Sequence, residues 1–211
     1  MAGFKTHLTG GMLTGAGAST IGLLSFNLNI TQVFSVFVMG SLGGILPDLD
    51  SDSGKPLTLL FGTISVLIPA LLLNRVIDTT SISPEFLVSY FVCCYFAINS
   101  LICELIKKVT IHRGIMHSIP FAVLSGELSY LLFISSSHSL ATVIGLTVFA
   151  GCCVHMILDE LNSFSLKFGF VPTLKKSSGT ALKLKSANQS ANIFIYFLII
   201  GSTTAIVLFK V

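Results

Sequence analysis

Long apolar stretches separated by very few charges are the feature that most constrains the fold of this chain. Seven stretches, bounded by turn residues or charges, lie near residues 8–26, 30–46, 57–74, 85–106, 115–134, 140–158 and 191–209. A transmembrane helix needs about 20 mostly apolar residues. Charged residues make up 10% of the chain, against about 25% in a soluble domain. This excludes an ordinary soluble enzyme, a disordered chain and a coiled coil, and it predicts an integral membrane protein.

The predicted fold is all-α, a polytopic membrane helix bundle of about six to seven transmembrane helices. Its 211 residues leave no room for a large soluble domain, so residues 1–211 are predicted to form a single membrane-embedded domain. The first two stretches contain GxxxG pairs, Gly11 with Gly15 and Gly40 with Gly44. Small residues at this spacing let membrane helices approach closely. The sequence leaves open whether these pairs pack within one chain or between chains, and the oligomeric state is unknown.

The distribution of Lys and Arg predicts the orientation. With the N-terminus in the cytoplasm, only Arg75 and Lys210 fall on the outer side. The other ten basic residues fall on the cytoplasmic side: Lys5, Lys55, Lys107, Lys108, Arg113, Lys167, Lys175, Lys176, Lys183 and Lys185. Short loops rich in Lys and Arg stay in the cytoplasm. We therefore expect a multi-pass protein of the cytoplasmic (inner) membrane with a cytoplasmic N-terminus.

The same charges indicate which partners to expect. Residues 159–190 are predicted to form a cytoplasmic Lys-rich loop, which could lie on anionic lipid headgroups. The net charge is only +3 and there is no dense basic block, so no nucleic-acid partner is expected. The five cysteines lie in or beside apolar runs without metal-binding or redox spacing, and we interpret them as packing residues.

Most side chains capable of chemistry lie in four short segments. In the predicted topology all four segments fall near the cytoplasmic face, although the orientation was derived from Lys and Arg alone. Acidic and imidazole groups in membrane segments are costly and usually functional. The segments contribute, in order, His7; Asp48 and Asp50; His112, Arg113 and His117; and His155 with Asp159.

The spacing of these residues is compatible with a shared metal site. His155 and Asp159 are four residues apart, so they share one helix face and can reach one ion. Imidazoles with carboxylates suit a divalent ion, with zinc as the first choice and manganese or iron as alternatives. Zinc sites without Cys ligands are usually catalytic. Each segment also has a structural interpretation: a solvated His7, a polar loop around Asp48, Arg113 as an anchor at the cytoplasmic end of a span, or a hydrogen bond between His155 and Asp159.

The motifs also resemble a known family. A histidine before glycines, then LPDLD, HRGIMHS and GCCVHMILDELNSF, resembles the YdjM-like family of inner-membrane-associated, metal-dependent hydrolases. The resemblance extends from His7 to about Pro172, and its most specific parts are HRG-x-x-HS and the later H-x-x-x-D. It implies a metal site built from His7, Asp48, His112, His117, His155 and Asp159, with Asp50 as an adjunct. Family members often continue with a Thr-Pro-aromatic-Gly turn, whereas this chain reads Leu161-Asn162-Ser163-Phe164-Ser165.

The leading hypothesis is a membrane-bound hydrolase acting on a phosphoester or lipid-like substrate at the cytoplasmic interface. Asp50 or Asp159 is the expected general base, and Arg113 is expected to hold an anionic phosphate because its planar fork pairs with phosphate oxygens. The alternative is a transporter or sensor for divalent cations or protons that uses the same residues. Transporters usually place their sites near the bilayer midplane, which favours the hydrolase. A scaffold without catalytic activity is the third possibility.

Overall fold

A computed structural model of the chain describes residues 2–50, 54–77, 83–102, 115–167, 171–174 and 183–209. Each predicted apolar stretch coincides with a helix in these residues. A 3-10 helix (Leu46–Asp50) follows the second helix and a π-helical turn (Ala97–Ile102) extends the fourth. The α-helices are α1 (Phe4–Ser25), α2 (Ile30–Gly43), α3 (Gly54–Ile77), α4 (Pro84–Phe96), α5 (Ile119–Phe133), α6 (His138–Leu161) and α7 (Gln189–Phe209). The predicted all-α bundle is confirmed.

Several helices begin at side chains that satisfy the otherwise unpaired amides of the first turn. The Asn29 side chain accepts from the Gln32 amide at 3.0 Å, and the Gln32 side chain accepts from the Asn29 amide at 2.9 Å. Ser118 and Ser137 begin α5 and α6 by accepting from backbone amides three residues later. The cap at Ser118 fixes the start of α5 directly after His117.

Glycines bring α1 and α2 into backbone contact. A Cβ atom at Gly44 would lie 2.5 Å from Cα of Gly11, and one at Gly40 would lie 2.6 Å from Cα of Gly15. On α6, a Cβ atom at Gly151 would lie 2.9 Å from the Gly40 carbonyl oxygen. Both GxxxG pairs are therefore used inside one chain, which answers the question that the sequence left open.

The core lies mainly between α2 and α6. Val36, Ile144, Val148, Cys152 and Met156 are fully buried there. The four cysteines in the described residues are free thiols; Cys152 is buried in this core, whereas Cys93 is exposed, so packing inside the protein explains Cys152 but not Cys93.

Helix α7 packs on α5 and is joined to it by polar contacts inside the apolar region. Glu127 of α5 accepts hydrogen bonds from Ser202 at 2.5 Å and Thr203 at 2.7 Å. Polar groups that bond across membrane helices help to hold them together. These contacts account for the one carboxylate that lies midway along an apolar helix.

Residues 159–190 are not one continuous loop. Helix α6 continues to Leu161, and an antiparallel hairpin pairs β1 (Phe164–Lys167) with β2 (Val171–Leu174), with Phe164 opposite Leu174. FSLK has the apolar–polar alternation typical of strands, whereas VPTL does not alternate. The prediction from lysine content alone missed this hairpin.

Two helices in the described part of the chain are long and apolar enough to cross a membrane. They are α6, with a mean hydropathy of 2.1, and residues Gln189–Leu208 of α7, with a mean hydropathy of 2.0. The other apolar helical segments are shorter: Ile30–Gly43, Phe61–Leu73, Pro84–Asn99 and Ile119–Phe133. The number of six to seven spans stays a prediction.

Candidate metal centre

Five of the predicted site residues meet at one end of the bundle, although they come from four separate segments. His7 lies in the first turn of α1, and Asp48 lies in the 3-10 helix after α2. His117 directly precedes the cap of α5, and His155 and Asp159 lie one turn apart near the end of α6. All are buried except Asp48, whose side chain is 17% exposed.

The ring nitrogens and carboxylate oxygens of these residues point at one another. Nε2 of His155 lies 3.6 Å from Oδ1 of Asp48 and 4.0 Å from Oδ2 of Asp159. Nε2 of His117 lies 3.7 Å and 3.8 Å from the same two oxygens. Nε2 of His7 is 3.2 Å from Oδ1 of Asp159. Most of these separations are longer than direct hydrogen bonds, so the donors face a shared space rather than simply pairing with each other.

His155 is held by a backbone carbonyl. Its Nδ1 lies 2.8 Å from the Gly44 carbonyl oxygen. Because a carbonyl only accepts, Nδ1 must carry the hydrogen, and Nε2 therefore keeps its lone pair in the neutral ring. This Nε2 is buried and has no hydrogen-bond partner among the described residues. A histidine oriented through its other nitrogen is the usual arrangement of a metal ligand.

His7 completes the packing of the imidazoles. Its ring stacks on His155 with centroids 3.6 Å apart and planes inclined by 14°. His117 meets the other side of the cluster, with its centroid 5.3 Å from that of His155. Nδ1 of His7 is also buried without a hydrogen-bond partner within the described ranges. Buried polar atoms normally find a partner, so these nitrogens indicate that a ligand completes the cluster.

The donor atoms form two overlapping groups that could hold a metal ion. One comprises His7, Asp48 and His155, the other His117, His155 and Asp159, and the atoms within each group lie within 4.8 Å of one another. Since Gly44 engages Nδ1 of His155, both groups rely on the single lone pair of Nε2. The described donor atoms therefore fit one ion bound by residues of both groups better than two ions bound independently.

The carboxylates are suited to bind a cation. Burial disfavours the charged form of Asp48, but attraction to His117, His155 and His7 outweighs it and holds the pKa of Asp48 below its usual value. Oδ1 of Asp159 accepts from the backbone amide of Ala2 at 2.8 Å, which fixes the orientation of that carboxyl group. An ionised, oriented carboxylate is ready to ligate a divalent ion.

Some predicted residues cannot be placed in this centre. His112 and Arg113 lie outside the described residues. The backbone of Asp50 belongs to the 3-10 helix, but its side chain lies outside the described set. Their proposed roles therefore stay predictions from the sequence.

Two contributions to the centre come from the backbone, and sequence reasoning missed both. They are the Gly44 carbonyl that orients His155 and the Ala2 amide that orients Asp159. The GxxxG spacing identified Gly44 only as a packing residue. Backbone groups carry no sequence signal of their own, so this role becomes visible only after the helices are packed.

Comparison with known proteins places the chain in a family. The profile of the family described as YdjM inner membrane protein matches residues 1–210. No curated protein and no solved structure matches the chain. The chain belongs to the YdjM inner membrane protein family.

Proposed function

We propose that this member of the YdjM family is a metal-dependent hydrolase whose centre lies at the cytoplasmic end of the bundle and acts on a phosphoester or lipid-like substrate. The observation that carries the proposal is the buried Nε2 of His155. It keeps its lone pair, lies between Asp48 and Asp159, and has no hydrogen-bond partner among the described residues.

The donor set fits a divalent ion such as zinc, with manganese or iron as alternatives. Its ligands would be His7, Asp48, His117, His155 and Asp159, with His112 as a sixth candidate from the sequence. When bound, such an ion polarises a phosphoryl oxygen and lowers the pKa of water toward about 7. The described ligands include no cysteine, which is typical of catalytic rather than structural zinc.

Residues of the chain would supply orientation and proton transfer. Where Asp159 acts as the general base instead of a ligand, Oδ2 is the oxygen that accepts a proton from the attacking water, because Oδ1 is engaged by Ala2 and His7. Asp50 is the second candidate for this base. Arg113 would pair with the anionic oxygens of the substrate through its planar guanidinium group.

The position of the centre supports hydrolysis over transport. All five residues lie at helix ends, whereas transporter sites usually lie at the midplane on interrupted helices. The deep carboxylate that a transport pathway would need, Glu127, is already engaged by Ser202 and Thr203. A centre at the membrane surface can be reached by a headgroup from the side.

The test is phosphodiesterase activity of the purified protein with added zinc or manganese, measured on bis(p-nitrophenyl) phosphate. His117→Ala should reduce metal-dependent activity to background while leaving membrane insertion intact. The matched control is His138→Ala, because His138 lies at the opposite end of the bundle with Tyr130, and this variant should keep full activity. Activity that persists in His117→Ala would contradict the proposal.

A further inference from the structure

A cavity separate from the candidate metal centre lies at the N-terminal end of α7, on its outer side. Its volume is about 700 Å³. Its rim is polar and includes Lys185, Ser186 and Gln189, and its lower wall is formed by Ile193, Phe197 and Ile200. We call it the α7 pocket.

The lower wall of the α7 pocket faces away from the protein. Ile193 is 65% exposed, Phe197 71% and Ile200 67%. Their spacing of four and then three residues places them on one helix face. Only 17% of the apolar segment Gln189–Leu208 is buried inside the protein. This wall is suited to contact with an acyl chain.

Hydrogen bonds to α7 hold the residues of the rim in place. The Ser186 amide donates to the Asn192 side chain at 2.8 Å, and Asn192 donates back to the Ser186 carbonyl at 2.9 Å. The Tyr196 hydroxyl donates to the Leu184 carbonyl at 3.0 Å. The backbone of Lys185 is thus held between Leu184 and Ser186, which are both hydrogen-bonded to α7, next to the apolar wall.

The α7 pocket adjoins the segment that carries His117. The Ile119 amide donates to the Lys183 carbonyl at 3.0 Å, and Ser118 forms a bridge with the same residue. The rim of the pocket begins two residues later, at Lys185. None of the five candidate metal ligands lines the pocket, so a ligand in the pocket would not contact them.

We propose that the α7 pocket binds an anionic glycerophospholipid. The phosphate would lie at Lys185, and one acyl chain would run along Ile193, Phe197 and Ile200. The described residues that line the pocket include a lysine and no acidic side chain, so their charge complements an anionic headgroup. This proposal holds whether or not the metal centre is catalytic.

The chain contains no tryptophan, so one introduced indole reports on one place. Phe197→Trp puts the fluorophore on the pocket wall, and Leu208→Trp puts it at the far end of the same helix, where Leu208 is also exposed. Each variant is placed in phosphatidylcholine nanodiscs containing a fixed fraction of either brominated phosphatidylglycerol or brominated phosphatidylcholine. The readout is quenching of tryptophan fluorescence.

We expect brominated phosphatidylglycerol to quench Phe197→Trp with about fivefold preference over brominated phosphatidylcholine, the effect of one lysine near an anionic headgroup. Leu208→Trp should show no preference. Adding Lys185→Glu should abolish the preference. Adding Lys5→Glu, which makes the same change from a positive to a negative charge at the same end of the bundle, should leave it unchanged. Soluble glycerol phosphate should not relieve the quenching, because it lacks the acyl chain.

Four results would each overturn the proposal. The two lipids could quench Phe197→Trp equally, or Leu208→Trp could show the same preference. Lys5→Glu could abolish the preference as fully as Lys185→Glu, which would assign it to general surface charge. Relief of quenching by glycerol phosphate would instead assign the pocket to a soluble phosphate.

Discussion

His155 connects two helices and also offers a nitrogen to the candidate metal centre. It is carried by α6, but its orientation is set by the Gly44 carbonyl at the end of α2. This contact fixes the proton on Nδ1 and leaves the lone pair of Nε2 directed at Asp48 and Asp159. Removing the ring therefore removes both a candidate metal ligand and a contact between two helices.

The ionisation of these groups predicts how metal binding depends on pH. A metal ligand must be deprotonated, so protons compete with the ion for the imidazole nitrogens. The pKa of Asp48 is held below its usual value, so this carboxylate stays charged between pH 8 and pH 5. We expect zinc affinity to be high at pH 7.5 and to fall as the pH is lowered.

Equilibrium dialysis of the detergent-solubilised protein with zinc, across pH 5 to 8, measures this dependence. His138→Ala is the control, because it removes an imidazole outside the cluster and should leave the curve unchanged. A zinc affinity that stays the same from pH 8 to pH 5 would contradict ligation by imidazoles.

At the scale of elements, the approach of α1 to α2 is what brings His7 to the centre. Gly15 packs directly against backbone, since a Cβ atom there would lie 2.6 Å from the Phe37 carbonyl oxygen. Gly17 lies on the same helix and faces open space. The two glycines therefore form a matched pair for testing this contact.

We predict that Gly15→Ala lowers the free energy of unfolding by about 1–3 kcal/mol through overpacking. Gly17→Ala should instead raise it by about 0.5–1 kcal/mol, because alanine is the better helix former. Unfolding of the two variants in mixed micelles, followed by circular dichroism, tests this. Equal effects at the two positions would contradict the intramolecular packing of α1 on α2.

Some element boundaries could be predicted from the sequence and others could not. The apolar stretches located each α-helix in the part of the chain that the structure describes, because runs of apolar residues are the strongest signal of a membrane segment. Helix α1 begins at Phe4 rather than near residue 8, which places His7 inside the first turn instead of before it. The hairpin at residues 164–174 was missed because each of its strands is only four residues long.

At the scale of the whole molecule, successive helices run in alternating directions, and this explains why motifs distant in sequence meet. The start of α1, the end of α2, the start of α5 and the end of α6 lie at the same end of the bundle. The convergence of His and Asp segments could therefore be predicted from the order of the apolar stretches. The distances between the ligands could not, because they depend on backbone contacts such as that between Gly11 and Gly44.

The distribution of Lys and Arg predicts that this end faces the cytoplasm. In a variant without its native cysteines, Ala187→Cys should be protected from a membrane-impermeant maleimide added to intact cells. Ser136→Cys, an exposed position between α5 and α6 at the other end, should be labelled. The reverse labelling pattern would contradict the orientation and would place the centre outside.

The central claim is that the His/Asp cluster holds a metal ion, and metal content tests it most directly. Plasma mass spectrometry of the purified wild type should find zinc, manganese or iron near one ion per chain. His155→Ala/Asp159→Ala should contain none while staying folded in detergent, and His138→Ala should match the wild type. Equal metal content in the wild type and the double variant, or no metal in either, would contradict the account.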